Sequence, residues 1–272
     1  MNDYSRYVPN VHFEQIPIKH LVSNQEYQRN LSVRHIEHAA ANFDLCQINP
    51  VKVSRRNNVN YVFNGQHTIE IVALISGSRE TPVWCMIYDD LEYEREADIF
   101  ANQQKFVKPL LPYEIFMANI EAGSDKQLII RDLAESYHLK ISAKPGPCHI
   151  CAVATLESIH DRYGFHVLDR VLRLAVGTWE GAAQSLSANM LNGIARLVSA
   201  YGDLLKEDLF QEKLSRLSIR ELVRTANERR AGSLGFAEAM LICYNKKTQI
   251  NALTWDRLYA AKRPPRADDG AS

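Results

Sequence analysis

The hydrophobic periodicity of this chain changes once, at Pro109 and Pro112, and that change fixes what the two parts can fold into. Ahead of it, short runs rich in β-branched and aromatic residues alternate with stretches of helical spacing. Beyond it, apolar residues recur at helical spacing and no strand-like alternation is seen. The expected fold class is therefore an α+β N-terminal domain, residues 11–120, followed by an all-α C-terminal domain, residues 121–262. The tail 263–272, with Pro264-Pro265 and Asp268-Asp269-Gly270, reads as disordered. A length of 272 residues suits two modest domains, and 46% hydrophobic with 24% charged residues is the balance of a packed globular chain.

In the first part, Val11 to Ile18 reads as a strand and Ser32 as the N-cap of a helix with Val33, Ile36, Ala40 and Phe43 on one side. Val51 to Ser54 and Tyr61 to Phe63 read as a β-hairpin around Asn57-Asn58. Val83 to Tyr88 is a further strand and Tyr93 to Gln104 an acidic-faced helix. The second part predicts helices over 113–122, 126–137, 148–163, 166–176, 188–201, 207–215, 219–230 and 236–245. Gly and Pro breakers such as Gly123, Pro145 and Gly202 separate them.

Charge narrows the function classes. Lys plus Arg number 32 and Asp plus Glu 32, so no global positive field attracts nucleic acid or an anionic membrane, and any such contact is local. Residues 11–120 carry 10 basic and 13 acidic groups, residues 121–272 carry 21 and 18, which places the more basic surface in the second part. The five cysteines, Cys46, Cys85, Cys148, Cys151 and Cys243, are odd in number and scattered, the usage of a reducing cytoplasm rather than a disulfide framework. No apolar run is long enough to span a bilayer, so no membrane partner is expected.

The sharpest local signal is Asn64-Gly65-Gln66-His67-Thr68, set between the strand Tyr61-Val62-Phe63 and the apolar helix Ile69 to Ser76. A strand that turns directly into a helix aims the first backbone N–H groups at one point, where an anion such as phosphate is favoured. Gly65 permits the tight turn. His67 adds a donor, a metal ligand or a general acid, and Glu70 stands one helical turn away. A capping turn without a ligand is the alternative reading of the same pentapeptide.

These residues belong to a longer series: Tyr27-Gln28-Arg29, Asn42-Phe43-Asp44, Pro50-Val51-Lys52-Val53, Tyr61 to His67, and Phe100-Ala101-Asn102-Gln103-Gln104-Lys105. In that order the series resembles the N-terminal domain of the ParB/sulfiredoxin superfamily over about residues 11–120. The resemblance implies a nucleotide-binding fold. Its site would comprise Gln28 and Arg29 from the first box, Asn64, Gly65, Gln66, His67 and Thr68 from the second, and Asn102, Gln103 and Lys105 from the third. The ligand would be a nucleoside triphosphate, CTP or ATP, with Mg²⁺, and the partners DNA and a second copy of the chain. The later helices, with Lys144-Pro145-Gly146, Gly164, Trp179 and Tyr244-Asn245, look like those of phage and actinobacterial relatives. A common form of the second box reads Asp-Gly-Gln-His-Arg. Here Asn64 replaces a carboxylate that could act as a base, and Thr68 replaces a bidentate phosphate ligand. The Gly-Glu-Arg-Arg form of the CTP-hydrolysing ParB proteins and the cysteine of sulfiredoxin are absent from the box.

Other residues extend the site or rival it. Arg55 and Arg56 at the hairpin, with Lys108, are cations that could meet a DNA backbone. Glu26 beside Gln28-Arg29 is a candidate general base. In a nuclease or phosphotransferase on this fold, His67 and Glu26 would be catalytic, whereas an interaction protein would keep the fold without the ligand. Ile130 to Ile141 resembles the first helix and turn of a helix-turn-helix, whose recognition helix would begin near Ser142 with Lys140 and Lys144 near DNA; Lys144-Pro145-Gly146-Pro147 interrupts it, and generic helical hairpin packing is the alternative reading. Cys148 and Cys151 have the spacing of half a zinc site, without a second cysteine pair.

Overall fold

The computed structural model describes residues 8–23, 30–106 and 108–260, and these divide into two compact units at Pro109/Leu110. The first unit contains β1 (His12–Pro17), β2 (Leu21–Ser23), α1 (Val33–Ala41), β3 (Val51–Arg56), β4 (Val59–Asn64), α2 (Gln66–Ser76), β5 (Pro82–Asp89) and α3 (Tyr93–Phe106). Its strands form one mixed sheet in the order β1-β5-β3-β4-β2, in which β1 and β5 pair antiparallel, β5 and β3 parallel, β3 and β4 antiparallel, and β4 and β2 parallel. Asn57 and Asn58 join β3 to β4 with φ of 50° and 60°, the paired positive angles of the turn that matches strand twist.

One face of this sheet is apolar because alternate residues of each strand are. Val51 and Val53 of β3, Val62 of β4, and Val83, Cys85 and Ile87 of β5 pack with Ile69 of α2 into one core. Removing an aliphatic side chain of this size from water contributes about 1.5–3 kcal/mol. Burial pushes the Cys85 thiol up to about 11, so it behaves as a small apolar group. The pairing of β3 with β4 slips between Lys52 and Val53, so that Lys52 lies opposite Asn64.

The second unit contains α4 (Pro112–Glu121), α5 (Asp125–Ser136), β6 (Lys140–Ile141), β7 (His149–Ile150), α6 (Val153–Tyr163), α7 (Phe165–Trp179), α8 (Ala188–Tyr201), α9 (Glu207–Ser215), α10 (Ile219–Arg229), α11 (Ser233–Asn245) and α12 (Trp255–Ala260). The helix α4 belongs here because Phe116 is fully buried in this unit's core, so the division falls ahead of the boundary expected at residue 120. At the centre lies α11, with Phe236, Ala237, Met240, Leu241 and Tyr244 all buried. It approaches α8 at Gly193, where a methyl group would stand 2.9 Å from Phe236 Cβ and from Met240 Cε.

Two expectations for this unit are corrected. It is not wholly helical, because β6 and β7 form a short parallel pair. The helix expected from Cys148 begins only at Val153, and no recognition helix starts at Ser142, where the prolines interrupt it. Pro145 and Pro147 lack N–H groups, and the chain around them closes instead on the β6–β7 pair. Cys148 takes a left-handed φ of 58° and its N–H donates to the Gly181 carbonyl at 2.7 Å. The tail 263–272 lies outside the described residues.

Candidate functional site

Asn64 ends β4, and Gly65 turns the chain into α2 with φ of 105° and ψ of 15°. A Cβ on Gly65 would lie 3.2 Å from Val51 Cα, so the turn is both left-handed and pressed against β3. The first helical hydrogen bond runs from Ile69 N–H to the Gly65 carbonyl at 3.1 Å. The amides of Gln66, His67 and Thr68 therefore lie ahead of it, at the positive end of the helix.

A second helix start meets this one. Ser32 caps α1 by accepting from His35 N–H at 3.3 Å, and its own N–H donates to His67 Nε2 at 3.5 Å. The rings of His35 and His67 meet edge to face, 5.4 Å between centroids. Thus the beginnings of α1 and α2 converge on a histidine pair. The sequence identified Ser32 as a cap and His67 as a site residue, but the helical spacing of α1 carried no sign of His35.

The third box joins the second through one contact: Asn64 Nδ2 donates to Gln103 Oε1 of α3 at 3.0 Å. Asn102, its neighbour, donates instead to Asp98 on the same helix at 2.7 Å, and Lys105 lies exposed near the end of α3. Asn64, Gly65, Gln66, His67, Thr68 and Gln103 are thereby brought together. Glu26, Gln28 and Arg29 lie outside the described residues. Lys52 joins the set unexpectedly: it is the cross-strand neighbour of Asn64, and burial holds its ammonium below the ordinary lysine value.

The cations expected at the hairpin are engaged elsewhere. Arg55 forks onto Glu14, with Nη1 and Nη2 at 3.0 and 2.6 Å, and its Nε donates to Asn60 at 2.9 Å. Arg56 stands 2.9 Å from Glu96 and over the Tyr61 ring. Glu70 is held by a fork from Arg79, at 3.0 and 3.2 Å. In the other unit Lys140 lies on β6 and Lys144 in the loop before β7, both exposed; Lys144 N–H donates to Ser142 Oγ at 3.1 Å and its carbonyl faces His149 Nδ1 at 3.3 Å. Among the described residues, no three His, Cys, Asp or Glu side chains are grouped so as to hold a metal ion, and no helix is long and apolar enough to cross a membrane.

Fold and site together define a mixed α/β unit with a glycine-bearing strand-to-helix turn, joined to a helical unit. The chain belongs to a family of unknown function, DUF6551, whose family model matches residues 22–256. No curated protein matches its sequence. Among solved structures it is similar to the C-terminally truncated chromosome-partitioning protein ParB from Caulobacter crescentus complexed with CTP-gamma-S. That similarity has 10% identity and a TM-score of 0.34, and covers 85% of this chain and 99% of that one.

Proposed function

We propose that the first unit binds a nucleoside triphosphate at the β4–α2 turn, and that the chain is a ParB-like, DNA-associated protein whose helical unit meets DNA or a second copy. The observation that carries this reading is the Asn64–Gln103 hydrogen bond. It joins the two boxes that the sequence resemblance assigns to one nucleotide site. The amides at the start of α2 supply donors for phosphate oxygens, and Lys52, partly desolvated opposite Asn64, supplies a cation that gains from a nearby anion. With Asn64 where a carboxylate would be, that position offers no carboxylate base.

The test is a thermal titration of the purified chain with CTP, ATP, GTP and UTP, each with and without Mg²⁺. A ligand that binds only the folded state stabilises it by about 2.7 kcal/mol at a hundred times its Kd, so one nucleotide should raise the Tm in a saturable manner. Duplex DNA binding is then measured at two salt concentrations, where phosphate contacts make affinity fall steeply with salt. A Tm unmoved by all four nucleotides at millimolar concentration overturns the nucleotide reading. DNA affinity that is absent or insensitive to salt overturns the DNA reading.

A further inference from the structure

The helical unit holds a recess of about 280 Å³ where α6, α8 and the start of α11 meet. Its lining includes Ser158 and Arg162 of α6, Asn192 and Arg196 of α8, Tyr163 and Ser233. The spacing explains the grouping: Ser158 with Arg162, and Asn192 with Arg196, are four residues apart and so share one face of their helices. Ser233 is the first residue of α11 and accepts from Arg196 Nε at 3.1 Å, which orients that guanidinium within the recess.

Charge is the telling feature. Two arginines line one recess, and no acidic side chain stands among the described residues that line it. Arg162 forms no ion pair with a described residue. Elsewhere in this chain arginines of comparable burial are met by carboxylates, as Arg170 is by Glu207 at 2.8 Å. Drawn into a concave site without a carboxylate partner among the described residues, the Arg162 guanidinium favours an anion beside it, and the positive end of α11 adds to the same field.

We propose that this recess is a binding site for a small phosphate ester. A phosphate dianion accepts charge-assisted, bidentate hydrogen bonds from guanidinium groups, and the hydroxyls of Ser158, Tyr163 and Ser233 and the Asn192 amide offer further donors to its oxygens. The volume has room for the phosphate and a remainder about the size of a sugar, just under the roughly 300–1,000 Å³ typical of small-molecule pockets. A concave recess of this kind receives a small ligand end-on, whereas duplex backbone phosphates are met by cations that protrude.

Calorimetric titration of the full chain with ribose 5-phosphate, inorganic phosphate and a short DNA duplex tests the site, in the native protein, Arg162→Gln and Asn192→Ala. Matched circular dichroism spectra and melting curves establish that the variants fold. Ribose 5-phosphate should bind saturably, and Arg162→Gln should weaken it by about tenfold or more, as loss of a bidentate charged contact requires. Arg162→Lys should restore part of the loss. Absence of saturable ester binding overturns the proposal, as does binding that both Arg162→Gln and Asn192→Ala leave unchanged. Arg162-dependent binding of the duplex without binding of the ester also overturns it and makes the recess a DNA contact.

Discussion

Arg56 places its guanidinium 2.9 Å from the carboxylate of Glu96, whose side chain is fully buried. The pair links β3 to α3, and the same guanidinium lies 4.7 Å from the Tyr61 ring centroid on β4. The approach is that of an ion pair, at an angle outside hydrogen-bond geometry. Removing one member of a buried pair leaves the other charge poorly compensated, typically a loss of about 3–5 kcal/mol. Arg56 keeps 23% of its surface exposed, so Arg56→Ala should lower stability by about 2–4 kcal/mol in urea unfolding. Adding Glu96→Gln should recover part of that loss, because the buried charge that faced Arg56 is gone. An Arg56→Ala protein that unfolds with the native midpoint would show that the pair supports nothing.

Gly65 gives the strand-to-helix turn its shape, and an alanine there meets two obstacles. Its φ of 105° is strained for any residue with a Cβ, and the added atom would sit 3.2 Å from Val51 Cα. Gly65→Ala should destabilise the protein by about 1–3 kcal/mol and should also abolish the nucleotide-dependent rise in Tm. Gly77→Ala provides the comparison, since its φ is also positive but nothing lies within 4 Å of the added atom. That variant should keep the nucleotide response. Equal responses in both variants would mean that the turn geometry at Gly65 does not govern binding.

Glu14 of β1 reaches across β5 to accept the fork from Arg55 of β3. The hydrogen bonds from Arg55, aided by His12, hold its carboxyl below the ordinary value of 4.5, against the opposing effect of burial. His12 also approaches Asp89 at 3.2 Å, so the group is a small network. Because the folded-state pKa lies below the unfolded one, the stabilisation is complete above about pH 4.5 and is lost as pH falls through the lowered value. Half-exposed partners make the effect small and salt-sensitive. Native protein should therefore lose more stability than Glu14→Gln between pH 5 and 3 at low ionic strength, and the difference should shrink in 1 M salt. Parallel pH profiles for the two would remove Glu14 from this role.

Local chemistry explains which parts of this structure could be read from the sequence. Asn57-Asn58 tolerates the paired positive φ of a tight turn, so the hairpin was legible, and the Ser32 cap and the helical spacing from Val33 placed α1. The Asn64-to-Thr68 turn was legible because glycine between a strand and an apolar helix has few other uses. Lys52 was not: an unbroken hairpin register places it opposite Phe63, and the slip between Lys52 and Val53 moves it to Asn64. No residue pattern announces such an irregularity. Arg55 and Arg56 read as cations open to a DNA backbone because their partners, Glu14 and Glu96, lie about 40 residues away in sequence and are brought close only by the folded sheet and helix. Pro145 and Pro147 marked the break in the helix-turn-helix pattern from the sequence, and no helix forms between Ser142 and Val153.

Glu238 shows how the end of the described chain is fastened. Its carboxylate is 1% exposed on α11, yet it accepts from Arg229 Nε at 3.0 Å, faces Arg230 Nε at 3.2 Å and accepts from the Tyr259 hydroxyl at 3.0 Å. Arg229 also lies over the Trp255 ring and Arg230 over that of Tyr259, while Leu258 of the same short helix is buried. A helix as short as α12 is not stable by propensity alone, so these contacts must hold it in place. Glu238→Gln keeps the shape but removes the charge that both arginines face, and should lower stability by about 1–3 kcal/mol. If the carboxylate is the anchor, the loss from adding Tyr259→Phe will be smaller in the Glu238→Gln background than in the native one, because both changes disrupt one network. Hydrogen exchange at residues 255–260 should quicken in Glu238→Gln well before the rest of α11 opens. Unchanged protection there would mean that Leu258 and the aromatic contacts hold the helix without the carboxylate.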